Sequence, residues 1–292
     1  MKIFLAVDGS EAALHACRLV AAWQGDRSQH QLTLLNVQRP PLHLSPDPGV
    51  NQAVLEAALR EHGEQQLEPA RALLLDAGWQ VQNILRLGPP ADTLLALARE
   101  GGADALVMGG GRHGLLAGYA IGSVALRVAP AAQCPVLLVK AGATLPTRLG
   151  TSLRVTAPVD GSPESLAAVQ RLARCAGLLG TLHVDLVHFR PSLSLGAAML
   201  PPHDDVLSQW GGRESDVALA APAEALGVAG IPFELHRLAG TPEVAIAAFA
   251  REHGADLIAM ATRGRGAMHH LVLGSVALRT AHQSAVPVAL MR

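Results

Sequence analysis
Short apolar runs alternate along the whole chain with longer segments whose apolar residues recur at helical spacing. In the first half, Lys2 to Val7, Leu32 to Val37, Val81 to Leu87, Ala105 to Met108 and Val136 to Lys140 are apolar with little alternation. That pattern predicts strands covered by helices on both faces of a parallel sheet. Between them, Glu11 to Trp23, Val50 to Ala77, Ala91 to Glu100 and Ser123 to Ala129 read as helices, with Ser10 in the N-cap position of the first. Leu153 to Pro158, Thr181 to Phe189, Phe233 to Ala239, Leu257 to Met260 and Val288 to Met291 repeat the strand plan, and Ser162 takes the cap position. Gly211, Gly212 and Pro222 interrupt the long middle helix of the second half, while Pro40, Pro41, Pro46 and Pro48 mark an irregular loop after the second strand. Strand and helix in this order predict an α/β fold of two tandem, doubly wound parallel sheets with five strands each.

Short motifs of the first half recur in the second at a constant offset of 152. Val7-Asp8-Gly9-Ser10 returns as Val159-Asp160-Gly161-Ser162, and Leu87-Gly88 with Pro90 as Ala239-Gly240 with Pro242. Gly122-Ser123-Val124-Ala125-Leu126-Arg127 returns as Gly274-Ser275-Val276-Ala277-Leu278-Arg279. A duplicated domain explains this: residues 1–141 and 152–292, joined by a linker over 142–151 where Gly142, Pro146 and Gly150 fall.

Composition narrows the class. Half of the 292 residues are hydrophobic but only 3% are aromatic, so the core is aliphatic. A formal net charge of -1 argues against a nucleic-acid surface, which needs a basic excess. Asp8 ends the first apolar run too early for a signal peptide, and no stretch reaches the length of a membrane span. Cys17, Cys134 and Cys175 are isolated, which fits buried thiols in a reducing cytoplasm.

In an open parallel sheet, ligands bind beyond the carboxyl ends of the strands, where strand order reverses. Asp8 and Asp160 follow the first strand of each half, and a Gly-rich loop follows the fourth and runs into a helix at Gly122-Ser123 or Gly274-Ser275. Glycines let backbone approach a phosphate, and helix-start N–H groups supply donors and a favourable dipole. The acid on the opposite lip can accept from an adenine amino group or a ribose hydroxyl.

At these positions the chain resembles a tandem universal stress protein of Rossmann-like fold, almost end to end in both halves. The ATP-binding members of that family carry Gly, two residues, Gly, nine residues, then Gly-Ser or Gly-Thr after the fourth strand. The second half reads Met260-Ala261-Thr262-Arg263-Gly264, nine residues, then Gly274-Ser275-Val276, with Ala261 replacing the first glycine. The first half reads Met108-Gly109-Gly110-Gly111-Arg112, nine residues, then Gly122-Ser123-Val124, with Arg112 replacing the second. The resemblance implies adenine and ribose contacts at Val7, Asp8 and Val37, and at Val159, Asp160 and Phe189. It implies phosphate contacts at Gly109, Gly111, Gly122 and Ser123, and at Ala261, Arg263, Gly264, Gly274 and Ser275, with Val124, Met260 and Val276 beside them. The ligand implied is ATP or AMP, with Mg²⁺ as an optional companion, and the second half is expected to be the better site. The role implied is stress-related sensing in the cytoplasm rather than catalysis. The resemblance also implies a pseudo-dimer of the halves through Val136 to Lys140 and Val288 to Met291, further association into a homodimer, and an unidentified regulatory protein partner.

Two alternatives stay open: a nucleotide-free scaffold, since each half lacks one motif glycine, and a slow Mg²⁺-dependent ATPase or phosphotransferase, which needs a second carboxylate beside Asp8 or Asp160. Gly109-Gly110-Gly111-Arg112-His113-Gly114 matches GxGxxG but follows the fourth strand, not the first, so a dinucleotide fingerprint is not expected. His113 and His269-His270 lack metal-ligand spacing and read as solvated loop histidines or phosphate contacts. His203-Asp204-Asp205 has no counterpart in the repeat to complete a metal set, and Arg127 and Arg279 fit helix-surface ion pairs as well as a functional role.

Overall fold
The computed structural model describes residues 1–40, 52–111, 121–147, 149, 151–190, 204–264 and 272–292. Val50, Arg112, His113, Gly150, His203, His269 and His270 lie outside the described residues, as do Pro41, Pro46 and Pro48. The chain divides into two compact units, Met1–Ala143 and Thr144–Arg292.

The first unit runs β1 (Lys2–Ala6), α1 (Glu11–Ala21), β2 (Gln31–Gln38), α2 (Gln52–Asp76), β3 (Val81–Leu87), α3 (Pro90–Glu100), β4 (Ala105–Gly109), α4 (Ser123–Val128) and β5 (Val136–Val139). Its strands pair in parallel in the order β3-β2-β1-β4-β5. Leu5, Leu34, Leu35, Leu106 and Val136 are at most 1% exposed, an aliphatic core between two helical layers. The second unit repeats the order as β6 (Ser152–Val159), α5 (Pro163–Arg174), α6 (Ala176–Leu179), β7 (Thr181–Arg190), α7 (Asp204–Val228), β8 (Phe233–Ala239), α8 (Pro242–Glu252), β9 (Leu257–Ala261), α9 (Ser275–Gln283) and β10 (Val288–Met291). Its parallel order is β8-β7-β6-β9-β10. In each unit the chain winds outward from the first strand and then crosses to its other side. The reversal falls between β1 and β4, and between β6 and β9. These are the crevices where an open α/β sheet takes ligands.

Local chemistry fixes the element starts. Ser10 accepts from the Ala13 N–H at 3.1 Å and Ser162 from the Ser165 N–H at 3.2 Å, capping α1 and α5. Pro90 and Pro242 open α3 and α8 at positions whose N–H has no intrahelical partner. The sequence reading differs from the structure by a residue or two at most element ends, and substantially at α7. That helix continues from Asp204 through Gly211, Gly212 and Pro222 to Val228. Packing overrides propensity here: Ala218, Leu219 and Leu226 are buried to 2% exposure or less against the unit's interior. No helix among the described residues is long and apolar enough to cross a membrane.

Candidate functional site
At the end of β6, Val159 is buried and Asp160 opens a tight turn. Gly161 adopts φ +76°, a conformation that costs a glycine nothing, and this brings Ser162 back to cap α5. Oδ1 of Asp160 accepts from the Ser162 N–H at 3.0 Å and from its hydroxyl. The other carboxylate oxygen abuts the Gly-rich loop: a Cβ on Gly264 would stand 2.2 Å from Asp160 Oδ2. The acid is therefore wedged between the start of α5 and the loop after β9.

That loop is pinched at its base. The Gly274 N–H donates to the Thr262 carbonyl at 2.8 Å. Gly274 is the N-cap of α9 and supplies no side-chain cap. The first bond of the helical ladder runs from the Leu278 N–H to the Gly274 carbonyl at 2.9 Å. The N–H groups of Ser275, Val276 and Ala277 therefore lie ahead of the ladder, at the positive end of the helix dipole. Ala261, where the family motif has glycine, is the last residue of β9, and no described non-glycine residue has positive φ. Its methyl therefore causes no backbone strain.

Between these two lips opens a cavity of about 960 Å³. Val159, Asp160 and Phe189 line it, with Met260, Ala261, Arg263 and Gly264 from the end of β9 and the loop after it, and Gly274, Ser275 and Val276 from the start of α9. All ten second-half positions singled out from the sequence thus meet in one space. Sequence reasoning missed further contributors, among them Ser165, His188, Glu214 and the Gly240-Thr241-Pro242 turn before α8. Of these, the turn left a trace in the sequence, since Gly240 and Pro242 belong to the repeat. His188 is 5% exposed, with Nδ1 3.1 Å from the Ser215 hydroxyl of α7. Glu214 reaches the cavity from the same helix.

The first unit assembles the matching positions with different spacing. Asp8 Oδ1 accepts from the Ser10 N–H at 3.0 Å, Gly9 has φ +77°, and the Val7 N–H donates to the Leu35 carbonyl at 2.8 Å. Val37 lies near the end of β2, in register with Arg86 of β3. Gly109 ends β4 so close to α1 that a Cβ would lie 2.6 Å from the Ala13 nitrogen, whereas Ala261 carries that carbon in the second unit. Gly122 packs on the Gly111 carbonyl, where a Cβ would stand 2.6 Å away, and caps α4, whose first residues are Ser123 and Val124. That helix spans six residues, against nine in α9.

Arg127 pairs with Asp92 at 2.9 Å and Arg279 with Glu243 at 2.8 Å, so both repeated arginines tie the fourth-strand helix to its neighbour. Among the described residues, His183, Asp185 and Glu234 come close enough together to hold a metal ion. Asp185, however, is fully buried, and both its oxygens already accept from Arg154, at 2.7 and 2.9 Å. His236 stands 3.0 Å from it as well. Burial pushes the Asp185 carboxyl up, but Arg154 and then His236 outweigh this and hold it below the usual carboxylate range. The cluster is an ion-pair network with a cation already seated in it, which a metal ion would have to displace.

Comparison with known proteins agrees with this architecture. The universal stress protein family model matches residues 1–140 and again 152–292. A universal stress protein of Mycolicibacterium smegmatis is 26% identical over 302 residues, covering 99% of this chain and 96% of the relative. Universal stress protein MJ0531 of Methanocaldococcus jannaschii is 30% identical over 141 residues, covering 48% of this chain and 81% of the relative. The crystal structure of a universal stress protein from Archaeoglobus fulgidus matches with a TM-score of 0.67 at 21% identity, covering 100% of this chain and 98% of that one, a likeness of fold. Matched by the family model in both halves, the chain belongs to the universal stress protein family.

Proposed function
We propose that the second unit binds an adenine nucleotide, ATP or AMP, and that the chain uses this binding to sense or signal rather than to catalyse. The observation that carries the reading is the cavity of about 960 Å³ with Asp160 on one lip and the uncapped start of α9 on the other. Its volume falls within the range of small-molecule sites, roughly 300–1,000 Å³. Each part of a nucleotide meets suitable chemistry there. Val159, Phe189 and Met260 offer an apolar seat for a purine, and Asp160 offers an acceptor for a hydroxyl or amino group. Gly264, Gly274, Ser275 and the Arg263 guanidinium surround the place for phosphates, where backbone N–H groups and a cation stabilise negative charge. The test is titration of the full chain with ATP. Gly274→Val places a β-branched side chain against the Thr262 carbonyl, 3.3 Å from the new Cβ, and should abolish binding at the second unit while the protein still melts cooperatively. Unchanged affinity would refute the assignment.

One observation favours a second reading, slow Mg²⁺-dependent hydrolysis: Glu214 adds a second carboxylate to the cavity that holds Asp160. A magnesium ion bound with the nucleotide would neutralise phosphate charge, and Asp160 and Glu214 are the carboxylates that line the cavity. Phosphate release that needs magnesium and disappears in Asp160→Asn would establish this reading. Its absence would leave binding alone.

A further inference from the structure
The first unit gathers carboxamide side chains at the end of β1, where the second unit has His188 on the wall of its cavity. Asn36 and Gln38 lie on β2 and Gln66 on α2, and their carboxamides form one cluster at the end of β1. Asn36 Nδ2 donates to the Val7 carbonyl at 2.8 Å and to Gln66 Oε1 at 2.9 Å. Gln38 Nε2 donates to the same Gln66 oxygen at 2.8 Å and to Asn36 Oδ1 at 2.7 Å. The stem of Gln66 runs over the turn after β1, where a Cβ on Gly9 would stand 3.0 Å from Gln66 Cγ. Gly63 makes the reach possible. A Cβ there would lie 2.4 Å from Leu85 Cδ1 and 2.7 Å from Asn36 Oδ1, so only glycine lets α2 lie this close to β2 and β3.

At the offset of 152, the same four positions in the second unit hold His188, Arg190, Ser215 and Ala218. Ser215 replaces Gly63 and pairs with His188 at 3.1 Å. Ala218 replaces Gln66 and has no head group to extend over Gly161. Val159, Asp160 and Phe189 line a cavity, while in the first unit the Val7 carbonyl and the Gly9 turn adjoin the carboxamide cluster. A carboxamide carries both an N–H donor pair and a carbonyl acceptor, the same complement that the edge of a purine presents. Gln66 Nε2 lies 3.0 Å from His62 Nε2, so the cluster is held by α2 as well as by β2.

We propose that Asn36, Gln38 and Gln66 plug the first unit, so that nucleotide occupies one unit of the chain and not two. The proposal rests on the nucleotide reading given above. Its test is calorimetric titration of the full chain with ATP, comparing wild type, Gln66→Ala and Gln66→Glu. Alanine removes the plug at a half-buried position in a helix it favours, and should add one site per chain. Glutamate keeps the stem and an acceptor for both amide donors, and should add none. Gln38→Ala, which unpins the Gln66 head group from β2, should add the same site more weakly, and it serves should Gln66→Ala melt abnormally. No added site in either alanine variant would overturn the plug, as would two sites in the wild type. The gain of one site is read against a wild-type count of one or none. Failure of the second-unit assignment appears separately, as a wild-type count that Gly274→Val leaves unchanged.

Discussion

Gly264→Ala is the substitution for which the geometry gives the sharpest expectation. The new Cβ would stand 2.2 Å from Asp160 Oδ2 and 3.3 Å from its Cγ, so something must move by roughly 1 Å to reach van der Waals contact. The carboxylate cannot simply turn, because Oδ1 accepts from the Ser162 N–H at 3.0 Å and from the Ser162 hydroxyl. Turning it breaks hydrogen bonds to a charged acceptor, worth about 1.5–3 kcal/mol. Moving the loop instead relieves the overlap but separates the two lips of the cavity; forcing it back against Asp160 carries a cost typical of overpacking, about 1–3 kcal/mol. Without ligand the loop takes the easier path and moves, so thermal stability changes little. A ligand that touches both lips brings the displaced loop back, and the cost then appears in affinity. At about 1.4 kcal/mol per decade, this weakens ATP binding roughly 5- to 150-fold. Calorimetry beside a thermal melt separates the two effects. Ala261→Gly is the control: it restores a motif glycine at a position where the methyl causes no strain, and affinity should stay within about threefold. Gly264→Ala binding as tightly as wild type would refute the account of Asp160 as the wedged lip of the site.

Other expectations follow from the fold. Asp185 has its carboxyl held below the usual range, so it stabilises the fold fully above its unfolded value near pH 4 and loses that contribution as the pH falls through the lower, folded value. Asp185→Asn should therefore cost about 1.5–3 kcal/mol at pH 7, and its deficit in urea unfolding should shrink towards pH 3; a deficit independent of pH would contradict the ion-pair network. Burial pushes the Cys17 thiol up to about 12, and Cys134 and Cys175 are buried too. All three should resist a thiol reagent at pH 8 in the native protein and react on denaturation, and rapid native labelling of Cys17 would contradict its burial.

Much of the fold is legible in the residues because the chain states it twice. Val7-Asp8-Gly9-Ser10 and its repeat mark a strand end and a helix cap in four residues, and both caps form as the side-chain chemistry requires. α7 was the exception. Local propensity counts Gly211, Gly212 and Pro222 against a helix, whereas burial of Ala218, Leu219 and Leu226 depends on partners distant in sequence. The candidate site divides the same way. Positions on strand ends and the loop after β9 are named by spacing, since the chain itself brings them to one edge of the sheet. Glu214 and His188 enter through the packing of α7 on β7, which no local pattern encodes. The carboxamide cluster is harder still to read. Gln66 becomes meaningful only once Gly63 lets its helix settle close to Asn36 and Leu85.

The central claim is that this chain holds an adenine nucleotide in its second unit and in no other. The most direct measurement is quantitation of small molecules released from the purified protein by mass spectrometry, with ATP titrated into the emptied chain by calorimetry. The account predicts ATP or AMP, one per chain, and its loss in Gly274→Val. No nucleotide and no heat of binding would contradict it and leave the nucleotide-free scaffold as the reading to pursue.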